Sequence, residues 1–93
     1  MNSQNRTPAM NQKIFNLGLS VDTVSVYLIC CSIADTDTTI STNKLSEMWN
    51  STRASLLEGM KDLETRNILR RIISDGAGNI VYKLSDVKNW KLL

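Results

Sequence analysis

From Ile40 to Arg71 the chain runs ISTNKLSEMWNSTRASLLEGMKDLETRNILRR, which reads as helix, three-residue turn, helix and then a basic strand. Ser41 and Thr52 are the caps. A hydroxyl at that position accepts a hydrogen bond from a backbone amide two or three residues on, satisfying a donor that the helix itself leaves open. Ile40 and Leu45 flank the first cap as a hydrophobic staple, and Leu45, Met48 and Trp49 form the expected buried stripe of the short helix. Asn50 and Ser51 break it, with asparagine tolerating the left-handed backbone that such a turn calls for. In the longer helix Leu56, Met60 and Leu63 recur at i, i+4 and i+7, the spacing of one buried face. Gly59 falls on that same face. A glycine there costs roughly 1 kcal/mol of helix propensity relative to alanine, so it implies the close approach of another helix. A short helix thus braces a second one whose first turn is presented outward.

The flanking segments complete a small domain. Residues 1–13 are polar, contain the only proline, Pro8, and are expected to form a mobile arm, either a plain tail or one in which Arg6 and Lys13 touch a partner. Residues 14–93 read as one domain. Ile14 to Leu19 is read as extended. Ser20 caps a first helix with Asp22 complementing its dipole, and Val21, Val24, Leu28 and Cys31 supply its apolar stripe with Tyr27 alongside. The run Asp35-Thr36-Asp37-Thr38 ends this helix, and Thr38–Ile40 suits a short strand. Beyond Asn67, the expected C′ residue of the third helix, Ile68–Ser74 and Asn79–Ser85 read as two strands joined by the turn Asp75-Gly76-Ala77-Gly78. The consecutive Ile72 and Ile73 leave the register of the first strand open. Ser85 caps a terminal helix bearing Val87, Trp90 and Leu93. The predicted class is α+β, mostly helical, in the order α, short β, α, α, β, β, α.

Composition narrows the possible chemistry. Hydrophobic residues make up 42%, enough for a small core. The net charge of +2 is unevenly spread: residues 1–65 carry five Lys/Arg against seven Asp/Glu, and residues 66–93 carry six against two. The C-terminal third is thus net +4 on a remainder of −2, which hints at a side that meets a polyanion. A solvated basic strand is the plainer account. Without histidine, Ser-His-Asp and Cys-His arrangements are excluded. The phosphate-loop and dinucleotide patterns are absent too, so no enzymatic activity and no cofactor is expected. Cys30 and Cys31 are adjacent, poorly placed for a mutual disulfide and without the ligand set that zinc needs, so both are expected to be reduced packing residues of a cytoplasmic protein. No apolar run is long enough for a bilayer, and the start lacks the apolar stretch of a secretory signal.

The stretch from Ile40 to Arg71 resembles the winged helix-turn-helix superfamily. The resemblance rests on Ile40-Ser41, Leu45-Ser46, Asn50-Ser51, Thr52-Arg53, Leu63-Glu64, Asn67 and Ile68-Leu69-Arg70-Arg71. Ser46 stands where the family usually has alanine, Asn50 and Asn67 where it has glycine, and Ser51 where it has an apolar turn residue. The resemblance implies duplex DNA as partner. Thr52, Arg53, Ala54 and Ser55 would open the recognition helix, where free amides and the dipole suit a phosphate and Arg53 can reach a guanine edge. Leu57, Glu58 and Lys61 would continue its exposed face, and Arg70, Arg71 and Lys83 would form a basic wing. Glu58 would repel phosphate unless it accepts from a cytosine amine. Arg53, Lys61 and Arg66 against Glu58, Asp62 and Glu64 leave the helix neutral. Two roles are implied: a small transcriptional regulator or a replication accessory factor. A different class, a protein-interaction adaptor, would instead use the neutral helix with exposed Leu57. In relatives of this fold a terminal helix often pairs subunits, so the resemblance also implies a homodimer through Val87, Trp90 and Leu93.

Overall fold

A computed structural model describes residues 9–91. Among them are three α-helices, a three-stranded antiparallel sheet and two short 3-10 helices. The helices are α1 (Val21–Asp35), α2 (Thr42–Met48) and α3 (Arg53–Thr65), and the strands are β1 (Ile40–Ser41), β2 (Leu69–Ser74) and β3 (Ile80–Leu84). The α+β class and the expected element order hold up to the chain's final turn. β3 lies at the centre of the sheet with β1 and β2 at its edges.

The three helix starts agree closely with the sequence. The hydroxyls of Ser20, Ser41 and Thr52 accept from the amides of Thr23, Lys44 and Ser55 respectively. Asn67 takes the left-handed conformation, φ 58°, and the amide of Ile68 closes back on the Leu63 carbonyl. Asn50 does not. The left-handed non-glycine residues are Asp37 and Asn67, and the α2–α3 connection instead turns through an extended Trp49 at φ −83°, ψ 127°. The indole N–H of Trp49 donates to the Thr52 carbonyl at 3.0 Å and to Ser55 Oγ at 3.1 Å, a brace that replaces the expected left-handed residue. Met48, expected inside, is 40% exposed, because α2 ends there and only Leu45 of its stripe is fully covered.

One core joins all layers. Val26, Tyr27, Cys30 and Ile33 of α1 pack with Leu45, with Leu56, Met60 and Leu63 of α3, and with Ile40, Leu69 and Tyr82 of the sheet. At Gly59 the predicted close approach is present: a Cβ built there would lie 2.8 Å from Val26 Cγ2. The inward face of α1 is shifted from the expected one, although Cys31 and Tyr27 are buried as expected. Val21 is 80% and Leu28 39% exposed, while Val26, Tyr27, Cys30 and Ile33 point inward. This helix carries no charge between Asp22 and Asp35, so both of its faces look apolar in the sequence, and the packing of α3 selects between them.

The ends of the domain also depart from expectation. Residues 12–16 form a 3-10 helix instead of an extended segment, and Ile14 is fully buried. Of the arm expected over residues 1–13, residues 9–11 are tethered: the Ala9 amide donates to Asp35 Oδ1 and the Asn11 amide to the Tyr27 hydroxyl, both at 2.9 Å. Arg6 and Pro8 lie outside the described residues. The first strand of the basic hairpin is shifted by a bulge. Arg71 pairs with Tyr82 and Ile73 with Val81, so Ile72 is the extra residue and both isoleucines are exposed. In the turn, Asp75 Oδ1 accepts from the Ala77 and Asn79 amides, and Gly76 and Gly78 supply the positive φ values that the reversal requires. At the C-terminus Asp86, not Ser85, is the cap, and it opens a single 3-10 turn, Val87–Asn89, in place of a terminal α-helix. Trp90 is buried edge-on against Tyr27, ring centroids 5.8 Å apart. Its ring is thus engaged within its own chain, Val87 is partly buried against the same core, and Leu93 lies outside the described residues. Of the dimer surface implied for these three residues, Trp90 is therefore withdrawn into the core of its own chain.

Candidate nucleic-acid interface

α3 and the β2–β3 hairpin border a groove of about 540 Å³. Its charged lining residues are Arg53, Lys61, Glu64 and Arg71, with Leu57 and Tyr82 between them and Gly78 at the hairpin turn. The amphipathic spacing of α3 accounts for one wall. Once Leu56, Gly59, Met60 and Leu63 turn inward, Arg53, Leu57 and Lys61, four residues apart, share one exposed face. The other wall arises from strand alternation. Leu69 is buried, so Arg71 two residues on faces the same side, toward α3.

The wing residues divide between the two faces of the sheet. Arg71 is paired with Tyr82 in the ladder and lies on the helix side, whereas Arg70 sits directly opposite Lys83 with both side chains on the outer face. The expected set Arg70, Arg71 and Lys83 is therefore not a single cluster. Arg71 is engaged besides: its Nε donates to Glu64 Oε1 at 3.1 Å and its Nη2 to Glu64 Oε2 at 3.2 Å. These bonds raise the Arg71 pKa further above its ordinary value. Arg66 is likewise held by Asp62 at 3.1 Å. Among the described residues Arg53, Lys61, Arg70 and Lys83 have no ion pair.

At the start of α3 the hydroxyls are occupied by the fold. Thr52 Oγ1 accepts from the Ser55 amide, and Ser55 Oγ donates to the Thr52 carbonyl at 2.8 Å. Thr52 and Ser55 therefore shape the helix end rather than offering free hydroxyls to a ligand. Arg53, Ala54 and Glu58 are exposed, and Leu57 is 44% exposed. Glu64 lines this surface, although the sequence reading counted it in the charge of the helix and did not place it at the site. Its bond to Arg71 exists only because the hairpin folds back on the end of α3, and nothing local in the sequence signals that. No group of three potential metal ligands occurs among the described residues, and no helix there is long and apolar enough to cross a membrane.

No protein-family description, curated protein or solved structure matches the chain.

Proposed function

We propose that the chain is a winged helix-turn-helix module that binds duplex DNA sequence-specifically, as a small transcriptional regulator or replication accessory factor. The observation that carries this reading is the convergence of Arg53, Leu57 and Lys61 from α3 with Arg71 from the hairpin around one open groove. Three cations face one carboxylate there, a local excess of two positive charges. An α-helix about 10–12 Å across fits a major groove about 12 Å wide. In that pose the unpaired Arg53 guanidinium reaches a guanine edge, Leu57 can touch a thymine methyl, and Lys61 neutralises phosphate. Arg70 and Lys83, on the outer face of the hairpin, would meet the phosphates of a flanking strand. A single module reads few base pairs, so two copies with their α3 helices about one DNA turn apart, ~34 Å, would add the specificity that a lone domain lacks.

Titration with mixed-sequence duplex DNA over a range of salt tests this. With roughly 4–8 phosphate contacts, affinity should fall steeply and linearly in log salt. Absence of binding at low salt would leave the second reading, a protein-interaction adaptor. That alternative is favoured by exposed Leu57 at the middle of α3 and by the neutralisation of Arg71 by Glu64.

A further inference from the structure

The outer face of the β2–β3 hairpin joins two cations to two exposed isoleucines. Arg70 and Lys83 stand directly opposite each other there, and neither has an ion pair among the described residues. Like charges facing across a ladder destabilise a sheet, so the pair calls for an anion from outside. The bulge brings the isoleucines to the same side. Tyr82 is buried on the helix side, so Val81 points outward together with Ile73, its ladder partner. Ile72, the extra residue, lines the same outer depression as Val81 and Lys83. Ile72 is 46% exposed and Ile73 62%. We propose that these two isoleucines are a wedge that enters the minor groove of a DNA duplex, partly unstacks a base step and bends the duplex, with Arg70 and Lys83 seated on the adjoining phosphates.

This inference rests on the DNA reading and adds a deformation of the duplex to it. Charge complementarity selects an anionic partner. The carboxylates nearest the face are tied into the fold: Asp75 Oδ1 accepts from the Ala77 and Asn79 amides, and Asp86 Oδ1 from the Lys88 amide. The isoleucines require that the anion hold an apolar interior within reach, and a duplex holds one in its base stack. The spacing fits. Ile73 follows Arg70 by roughly 10 Å of strand, and a minor groove is about 6 Å wide. With the cations on one phosphate wall, the isoleucines therefore overhang the groove. Two strands ~4.8 Å apart, with their side chains, are too broad to enter it as it stands. Entry needs a wider groove, which an apolar side chain between base pairs supplies as it kinks the duplex. Pyrimidine–purine steps unstack most readily, so the hairpin favours TA or CA at a place that no polar side chain reads.

Two measurements on relaxed circular plasmid at one low salt concentration test the wedge. One is the amount of protein bound; the other is the linking change left after topoisomerase treatment and removal of the protein. Unstacking untwists the duplex, so the wild type should leave supercoils whose number rises with occupancy. Ile72→Thr/Ile73→Thr keeps β-branched residues in the strand and both cations in place. It should keep its circular dichroism and the salt slope of binding, yet leave few supercoils at equal occupancy. Wild-type binding without a linking change overturns the wedge and leaves the DNA reading intact, as does an equal change from the double variant. No binding at all removes the DNA reading and the wedge with it. Co-sedimentation with vesicles of phosphatidylserine and phosphatidylcholine separates the other anionic surface with an apolar interior. Vesicle binding that the double variant loses, with plasmid linking unaffected, would assign the isoleucines to a lipid surface and overturn the proposal.

Discussion

Gly59→Ala sets two effects of opposite sign against each other at the contact between α1 and α3. In an exposed helix interior the substitution would stabilise by roughly 1 kcal/mol, the propensity difference between glycine and alanine. Here the new Cβ would sit 2.8 Å from Val26 Cγ2, 3.4 Å from Val26 Cβ and 3.5 Å from the Asp22 carbonyl oxygen. Val26 is fully buried and β-branched, so it has no rotamer in which to withdraw cheaply. Overpacking of this kind costs typically 1–3 kcal/mol. The balance is a net loss of about 1 kcal/mol, or a melting temperature lower by roughly 4–8 °C for a domain of this size. A double-mutant cycle isolates the cause. Val26→Ala alone should cost roughly 1–3 kcal/mol through its two lost methyls. In that background Gly59→Ala should change sign and stabilise, giving a coupling term of roughly 1–3 kcal/mol by urea or thermal unfolding. Stabilisation by about 1 kcal/mol in both backgrounds would show that α1 does not approach α3 at this residue.

Leu63→Ala should cost roughly 2–5 kcal/mol in equilibrium unfolding, since its side chain is fully enclosed between α1 and the sheet; a change within about 0.5 kcal/mol would put the wrong face of α3 inside. Glu64→Gln should release Arg71 and, if DNA is the ligand, tighten duplex binding and steepen the salt slope by up to about one unit; unchanged affinity and slope would remove Arg71 from the interface. Arg53→Ala should relax sequence preference by roughly 1–3 kcal/mol, whereas Arg70→Ala should weaken all duplexes about equally; equal, sequence-independent losses from both would end the recognition role of α3. Burial pushes the Cys30 thiol up to about 12 and the Cys31 thiol up to about 11 from 9.0. Both therefore favour the folded state below about pH 9, and that contribution is lost as pH rises from about 9 toward 12, by roughly 1–3 kcal/mol near pH 11. Unfolding curves for the wild type and Cys30→Ala across that range should converge; parallel curves would show that the thiols ionise within the fold.

Local chemistry was legible where a residue acts on its own neighbours. Ser20, Ser41, Thr52 and Asn67 fix helix ends through bonds to amides or through a backbone conformation within a few residues, so their roles could be read directly from the sequence. Leu56, Gly59, Met60 and Leu63 were legible for a related reason: the polar remainder of α3 leaves only one face apolar. α1 shows the limit of that argument. With no charge between Asp22 and Asp35 its periodicity selects no single face: Tyr27 and Cys31 were placed inward, but Val26, Cys30 and Ile33 were not, and their burial goes with the close approach of Val26 to Gly59. The candidate site divides along the same line. Arg53, Leu57 and Lys61 are placed together by helical spacing. The bulge at Ile72, the separation of Arg71 from Arg70 and Lys83, the Glu64–Arg71 bond and the burial of Trp90 on Tyr27 all depend on contacts between distant segments. The sequence by itself determined the starts of the three α-helices, the end of α3 at Asn67 and the hairpin turn, because those energies are local; the short 3-10 turns at Gln12–Asn16 and Val87–Asn89 it did not. Which face each element shows to the others was decided by the tertiary structure, where packing density and strand register leave one arrangement that fits.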